Sequence, residues 1–289
     1  MKIKILIPVY NDWQSVFKLM EEIDKLQISK EFQISILIVN DASNHDRSSE
    51  KKKFTNIQSI KILNMVKNQG HARCIATGLK YLFEKDDFEY VIPMDGDGED
   101  RPEEIRDFLS KIENSNNKPI VGERVKRSED LKFKICYVLH KVFTLVFTGQ
   151  LIKFGNFTCL PKSVVEKMIN EKATWNSFSG SLKKIERNLV SIPSVRGKRY
   201  FGPSKMSFYN LIKHSLSIIS VFRKTFLIRS ALFIILYILL IKSYASVITA
   251  IPIICLLVAV YLISNLSLRE NLDEFKNSLK QIKNIDIIQ

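Results

Sequence analysis

The apolar run Tyr90-Val91-Ile92-Pro93-Met94 ends abruptly in Asp95-Gly96-Asp97, and this junction constrains the fold more than any other stretch. A short apolar run closed by two carboxylates one residue apart predicts a buried strand delivering acid groups to the carboxyl edge of a sheet, where open α/β folds bind ligands. Such carboxylates repel one another unless a cation lies between them. Mg²⁺ and Mn²⁺ are commonly held by one or two carboxylates plus the phosphates of a substrate. Asp-Gly-Asp-Gly is also turn chemistry, so at this point a metal site and a plain loop both stand.

The flanking segments favour the site. Residues 1–8 read as a strand, Val9-Tyr10-Asn11-Asp12 as a turn and residues 13–26 as a helix. Residues 32–39 predict a second buried strand ending in Asn40-Asp41-Ala42-Ser43, and residues 59–65 a third. Asn68-Gln69-Gly70-His71-Ala72-Arg73 then opens an apolar helix. Strands alternating with helices imply an α/β fold whose mostly parallel sheet is covered on both faces. The acidic and glycine-bearing turns all follow strands, the edge where a nucleotide is held.

Ile7-Pro8-Val9-Tyr10-Asn11, Asn40-Asp41-Ala42-Ser43, Asn68-Gln69-Gly70 and the stretch from Met94 through Asp-Gly-Asp-Gly-Glu-Asp-Arg-Pro-Glu-Glu to Ile105 resemble, in order and spacing, family 2 glycosyltransferases. The subgroup they most resemble is the dolichyl- or polyprenyl-phosphate mannosyl- and glucosyltransferases. The resemblance implies a GT-A-like, Rossmann-type sheet domain over residues 1–205. It places Pro8, Tyr10 and Asn11 around the base and ribose of a nucleotide-sugar donor, with Asp41 on the base and Asn68 and Gly70 completing the donor site. Asp95 and Asp97 then address the ribose, a Mg²⁺ or Mn²⁺ ion and the diphosphate, and Glu99 takes a position that often carries a third metal ligand, commonly Gln. Arg124 and Arg127 neutralise phosphates, a task suited to a planar, permanently charged guanidinium. Arg196, Arg199, Ser204 and Lys205, in the family's Arg…Gly-x-Ser-Lys segment, meet the acceptor phosphate; a generic anionic-lipid patch is the other reading of that segment. Two departures bear on sugar and acceptor contacts: Asn40 replaces the first Asp of Asp-Asp-Gly-Ser, and Gly155-Asn156-Phe157-Thr158 stands where an Asp and an Arg are often found.

Charge is unevenly distributed. No Asp or Glu occurs from Arg187 to Arg269, while Arg196, Lys198, Arg199, Lys205, Lys213, Arg223 and Lys224 crowd the first half of that stretch. Such a stretch suits nucleic acid or the anionic face of a membrane, and two apolar runs on its carboxyl side select the membrane. These runs, residues 226–241 and 245–263, are close to the roughly 20 residues a spanning helix needs. Only Lys242-Ser243-Tyr244 separates them, which predicts a tight hairpin with both ends on one side; a two-helix core of a soluble domain is the alternative. The flanking cations place both ends in the cytosol by the positive-inside rule. Arg229, near the start of the first run, is placed to snorkel, and Pro252 is expected to kink the second helix.

Residues 206–224 predict an amphipathic juxtamembrane helix, with Phe208, Leu211, Ile212, Leu216, Ile218, Ile219 and Phe222 on one stripe and Asn210, Lys213, His214, Ser217 and Ser220 opposite. Residues 131–151 read as a second interface helix or as a core helix. After the hairpin, taken as 225–264, the tail 265–289 carries Leu272, Phe275, Leu279 and Ile282 at helical spacing; core packing, self-association into a homo-oligomer and surface docking all explain it. The four cysteines, Cys74, Cys136, Cys159 and Cys255, form no Cys-x-x-Cys pair and suggest neither zinc nor disulfides. The opening apolar run, broken by Pro8, is too brief for a signal peptide. The four histidines read as structural or solvated.

This layout suits transfer of a sugar between a soluble donor and a lipid whose phosphate is already ionised and needs no general base. Accordingly the Trp175-Asn176-Ser177-Phe178-Ser179-Gly180 segment offers no carboxylate, and the Gln-x-x-Arg-Trp pattern of processive synthases is absent. The expectation is an integral membrane enzyme with two spans, a cytosolic catalytic domain and tail, and metal-dependent inverting transfer to polyprenyl phosphate. A glycolipid or polysaccharide-precursor hydroxyl as acceptor, and a non-catalytic sugar-nucleotide-binding scaffold, are the competing readings.

Overall fold

The computed structural model describes residues 1–45, 47, 53–126, 131–203 and 208–289. Its first half alternates as expected: β1 (Lys2–Val9), α1 (Trp13–Asp24), β2 (Gln33–Asn40), β3 (Ile57–Met65), α2 (His71–Lys85), β4 (Tyr90–Pro93) and α3 (Ile105–Ile112). β1 lies between β2 and β4, and β3 flanks β2, all parallel. β1 and β2 are buried along nearly their whole length, as strands with both faces covered must be. Successive residues face opposite sides. Ile5 and Ile7 pack with Val16, Met20 and Phe108 of α1 and α3, while Leu6 packs with Ile75, Leu79 and Leu82 of α2.

The chain continues through β5 (Ile120–Lys126), α4 (Leu131–Thr148), β6 (Phe154–Pro161), α5 (Lys162–Asn170), α6 (Phe178–Ile185) and β7 (Val190–Val195). β6 runs antiparallel to both β4 and β5, and β7 is parallel to β5. α7 (Phe208–Ser220), α8 (Arg223–Ile241), α9 (Val247–Ser267), α10 (Leu272–Lys276) and β8 (Ile282–Ile287) complete the chain. The full sheet has the order β7-β5-β6-β4-β1-β2-β3-β8.

α8 and α9 lie within two candidate membrane spans, of 22 and 30 residues, in which only 11% of each apolar window is buried. Helices of a soluble core would hide these side chains, so the low burial disfavours that alternative. Ser246 caps α9 reciprocally with Thr249 in a capping box, and the Tyr237 hydroxyl donates to Thr249 O at 3.1 Å, tying the two helices together. Pro252 sits inside α9. Arg229 does more than snorkel: its Nη1 donates to the carbonyls of Leu145 and Val146 at 3.3 and 2.8 Å. Both carbonyls lie in the last turn of α4, where Leu145 O also takes the Gly149 N–H at 2.8 Å, so a cation from the hairpin helps to close the end of that helix.

In α7 the serines face inward. Ser217 and Ser220 are buried, whereas Tyr209, Leu211 and Ile212 are exposed. Ser220 Oγ accepts from Asn176 Nδ2 at 2.9 Å just ahead of α6, so this part of the polar side docks on the sheet domain, while on the apolar stripe Leu211 and Ile212 are bare and Ile219 is buried. α4 likewise exposes Val138, Leu139, Val142, Leu145 and Val146. Phe147, Ile219, Phe226, Leu256 and Ile263 form a small separate core joining α4, α7, α8 and α9.

The tail departs from the helical expectation. Its helix is only five residues long, and Ile282–Ile287 forms a strand antiparallel to β3, with Ile62 opposite Asp286 and Asn64 opposite Asn284. Residues 1–205 are therefore not the whole sheet domain, because the segment after the hairpin supplies its edge strand. Phe275 stacks on Trp175 with ring centroids 5.4 Å apart, and Glu274 Oε2 accepts from Trp175 Nε1 at 2.8 Å and lies 3.1 Å from Arg73 Nη2.

Candidate active site

β4 ends at Pro93, and the chain leaves the sheet edge in a tight acidic turn. The backbone N–H of Asp95 donates to Asp100 Oδ2 at 2.9 Å and that of Glu99 to Asp97 Oδ1 at 2.9 Å, so the loop is braced by its own carboxylates. Gly98 takes φ +88°, and the Tyr200 ring lies 2.7 Å from where a Cβ would stand. Both the left-handed backbone and that contact require glycine.

Residues 196–200 lie across this turn. Gly197 N–H donates to Glu99 O at 2.8 Å, and Tyr200 N–H to Asp97 O at 2.9 Å. A Cβ on Gly197 would fall 2.6 Å from Gly98 O, so only glycine allows so close an approach. Arg196 pairs with Glu99, and Arg199 pairs with Asp97 and, at 2.8 Å, with Asp12. On the other flank His71 Nε2, in the first turn of α2, lies 3.2 Å from Asp95 Oδ1 and 2.8 Å from Asn156 Nδ2. The guanidinium of Arg124 passes over Gly155.

The electrostatics follow from crowding. Burial opposes ionisation of Asp95, but His71, Arg124 and Arg196 outweigh it and hold its carboxyl well below the usual range. Burial and the Asp95 charge push Asp97 up to about 6 and Asp100 up to about 7. Burial opposes protonation of His71, yet Asp95 overcomes it and raises its pKa. This edge lacks positive charge for the carboxylates it gathers.

That deficit fits a hard divalent cation held by Asp95 and Asp97 and completed by substrate oxygens, with His71 Nε2, 3.2 Å from Asp95 Oδ1, as the neighbour that shares this carboxylate. Glu99 lies at the same edge, with its carboxylate paired to Arg196. Among the described residues no group of three His, Cys, Asp or Glu side chains forms a ready metal cage.

The side on which the sequence places the donor is built from loops after β1 and β2. Asn11 adopts φ +53°, donates its N–H to Ser43 Oγ at 2.9 Å, and accepts from the N–H groups of Asn44 and His45 at 3.0 and 3.2 Å. Asp41 is buried, and its two carboxylate oxygens accept from the N–H groups of Gln69 and Gly70 at 2.6 and 2.9 Å. It thus clamps the loop that opens α2, with Asn68 Nδ2 on its carbonyl at 3.3 Å. Pro8 is buried in β1, and the Tyr10 side chain is 45% exposed beside it.

The structure therefore gathers Asp95, Asp97, Glu99, Arg124, Arg196 and Arg199 at one edge, with Pro8 near the end of β1 and Tyr10, Asn11, Asp41, Asn68 and Gly70 on the loops beside it. Arg127, Ser204 and Lys205 lie outside the described residues. Sequence reasoning missed Asp12, His71 and Asp100 as members of this cluster. His71 carried a usable signal, since it directly follows the glycine opening a helix after a β-strand loop.

The same fold occurs in solved structures. Glucosyl-3-phosphoglycerate synthase from Mycobacterium tuberculosis, in complex with Mn²⁺, UDP-glucose and phosphoglyceric acid, superposes with a TM-score of 0.55 at 10% identity over 78% of this chain and 79% of that one. Mannosyl-3-phosphoglycerate synthase from Rubrobacter xylanophilus gives 0.55 at 13% identity over 76% and 72%. These likenesses establish the GT-A fold. Among sequences, the undecaprenyl-phosphate 4-deoxy-4-formamido-L-arabinose transferase of Proteus mirabilis is 25% identical over 225 residues, covering 73% of this chain and 64% of that protein's length. The Klebsiella pneumoniae protein of the same name is 24% identical over the same shares. The profile of glycosyl transferase family 2 matches residues 4–170, from the first strand past the acidic turn and the β6 edge, and with more than half of its 289 residues so matched the chain belongs to that family.

Proposed function

We propose that this protein transfers a sugar, with inversion, from a nucleotide-sugar donor to the phosphate of a polyprenyl phosphate at the cytosolic face of a membrane. One observation carries the reading: the arginine-bearing segment that closes over Asp95 and Asp97 leads into α7, whose polar side docks on the sheet domain while apolar residues on its other side are exposed. A soluble diphosphate and a lipid phosphate can thus meet at one edge. The undecaprenyl-phosphate transferases among the relatives support the acceptor class.

Asp95 and Asp97 are the residues to hold a divalent cation, which when bound neutralises the donor diphosphate as the leaving group develops charge. Asp41 keeps the loop at 68–70 in place beside the donor, and Asn11 does the same for the loop at 43–45. Arg124 faces the acid cluster from β5 and is placed to share the diphosphate charge. Arg196 and Arg199 neutralise Glu99 and Asp97; with phosphates present they exchange carboxylate oxygens for phosphate oxygens, bringing the acceptor into line without loss of ion pairing. A lone pair of the acceptor phosphate oxygen forms the new bond to the anomeric carbon, and the bond to the diphosphate breaks with its electrons. The acceptor carries no proton at the attacking oxygen, so none need be removed.

Because the hairpin's outer ends both pack on the sheet domain, they stay on one side of any membrane that α8 and α9 cross, and their flanking cations favour the cytosol. The test is product analysis in membranes supplied with UDP- and GDP-sugars, undecaprenyl phosphate and a hydroxyl-bearing glycolipid. Acid-labile sugar on the polyprenyl phosphate is expected. Sugar found only on the hydroxyl acceptor would overturn the proposal.

A further inference from the structure

The C-terminal strand is linked to the loops after β1 and β2 by a continuous chain of hydrogen bonds through side chains and two backbone N–H groups. Asn64 Nδ2 donates to Asp286 Oδ2 at 3.0 Å, and Asn40 Nδ2 donates to Asn64 Oδ1 at 2.8 Å across the paired ends of β2 and β3. Ser43 N–H donates to Asn40 Oδ1 at 3.0 Å, and Asn11 N–H to Ser43 Oγ at 2.9 Å. Every donor points toward Asp286, whose carboxylate also takes Asn284 Nδ2 at 2.9 Å and Arg47 Nη1 at 3.2 Å.

The acid fixes the direction of the chain. Asp286, when ionised, only accepts, so Asn64 must present its amide nitrogen to it and its oxygen to β2. Asn40 must then present nitrogen to Asn64, which frees its own oxygen for Ser43. Turning any amide over would set oxygen against oxygen. Arg47 adds a second tie from the same carboxylate to the chain that follows β2.

We propose that Asp286 is a positioning residue for donor binding, holding residues 43–45 against Asn11 in the shape that receives the nucleoside diphosphate. This rests on the proposed binding of a nucleotide-sugar donor at these loops. It makes the segment after the membrane hairpin part of the nucleotide site, and it accounts for the amide at position 40. An Asp at 40 would accept from both Ser43 and Asn64, turning the Asn64 oxygen toward the Asp286 carboxylate; Asn40 and Asp286 are matched.

The experiment uses the full chain in detergent micelles or nanodiscs with three variants: Asp286→Ala, Asn40→Asp, and a double variant that combines Asn40→Asp with Asp286→Asn. Amide hydrogen exchange is read at 43–45 and in β1 and β2, and Mn²⁺ with UDP, and separately with GDP, is titrated as the binding probe. Each single variant should speed exchange at 43–45, leave the β1 and β2 core protected, and weaken the diphosphate that wild type binds by about tenfold, the scale of one hydrogen bond to a charged group. The double variant should recover much of both, because an amide at 286 can donate where the carboxylate could only accept. Unchanged exchange at 43–45, faster exchange with unaltered nucleotide affinity, or a double variant no better than the singles would each overturn the proposal. If neither diphosphate binds wild type, the donor reading itself fails and Asp286 has no role in donor binding.

Discussion

Arg199 is the residue whose removal tests the site most directly. Its guanidinium joins Asp97, from the β4 turn, to Asp12, from the start of α1, with side chains only 16%, 17% and 20% exposed respectively. In Arg199→Ala both carboxylates lose their partner while Asp95 and Asp100 stay close by. Each charge-assisted contact carried into the transition state is worth about 1.5–3 kcal/mol. At about 1.36 kcal/mol per decade, one contact corresponds to roughly a tenfold to a hundredfold loss of transfer. Two contacts correspond to roughly the square of that, and Arg199→Lys, which keeps charge but not the fork, should fall between. A second signature is the pH profile. Burial and Asp95 already push Asp97 up to about 6 and Arg199 opposes them, so the variant's acid limb should move to higher pH as this carboxylate holds its proton longer. The assay is initial transfer rate in detergent micelles with undecaprenyl phosphate and saturating donor, from pH 5 to 9, where lipid-surface electrostatics no longer contribute. A variant with wild-type rate and wild-type acid limb would refute the assignment of Arg199 to the phosphates.

Asp86 joins Lys4 and Lys61 at 3.0 and 2.9 Å; burial opposes its ionisation, but hydrogen bonds from Lys61 and Lys4 prevail and its pKa is lowered. Because the folded value lies below the unfolded 3.8, this stabilisation is present above pH 4 and is lost as pH falls through the folded value, so Asp86→Asn should cost about 1–3 kcal/mol near neutrality and nothing in strong acid by chemical denaturation. Gly197→Ala must displace the backbone from Gly98 O, and the expected result is transfer reduced at least tenfold with thermal stability changed little, measured by rate and by melting. Arg229→Leu removes the hydrogen bonds that help to close the last turn of α4, and amides at 145–149 should exchange faster while those of α9 do not.

What the sequence made legible was whatever a local pattern encodes. The β1 to β4 alternation follows from apolar runs ending at Asn11, Asp41 and Asp95, and the hairpin from two uninterrupted apolar helices around a three-residue turn. Side-chain pairings across the fold were not legible, since His71 and Asp95 are 24 positions apart and Arg199 and Asp12 are 187. Asp41 shows the limit well. Its place after β2 was readable, but its engagement with the backbone of Gln69 and Gly70 depends on α2 starting beside β2, which only the parallel sheet arranges.

β8 was misread for a different reason. Ile282-Lys283-Asn284-Ile285-Asp286-Ile287 alternates imperfectly, as an edge strand does when one face is only partly covered, and Leu272, Phe275, Leu279 and Ile282 happen to match a helical period as well. Periodicity cannot choose between these; the chain's return does. A hairpin that brings residue 268 back to the sheet domain leaves a free edge at β3, and an unpaired edge strand presents a row of donors and acceptors that a nearby extended segment can satisfy. Ile282 and Leu279 then pack on the α2 side of that edge, leaving Asn284 and Asp286 to face Asn64. The apolar hairpin thereby does more than return the chain: it brings to the sheet edge the strand whose acid fixes the orientation of the amides of Asn64 and Asn40.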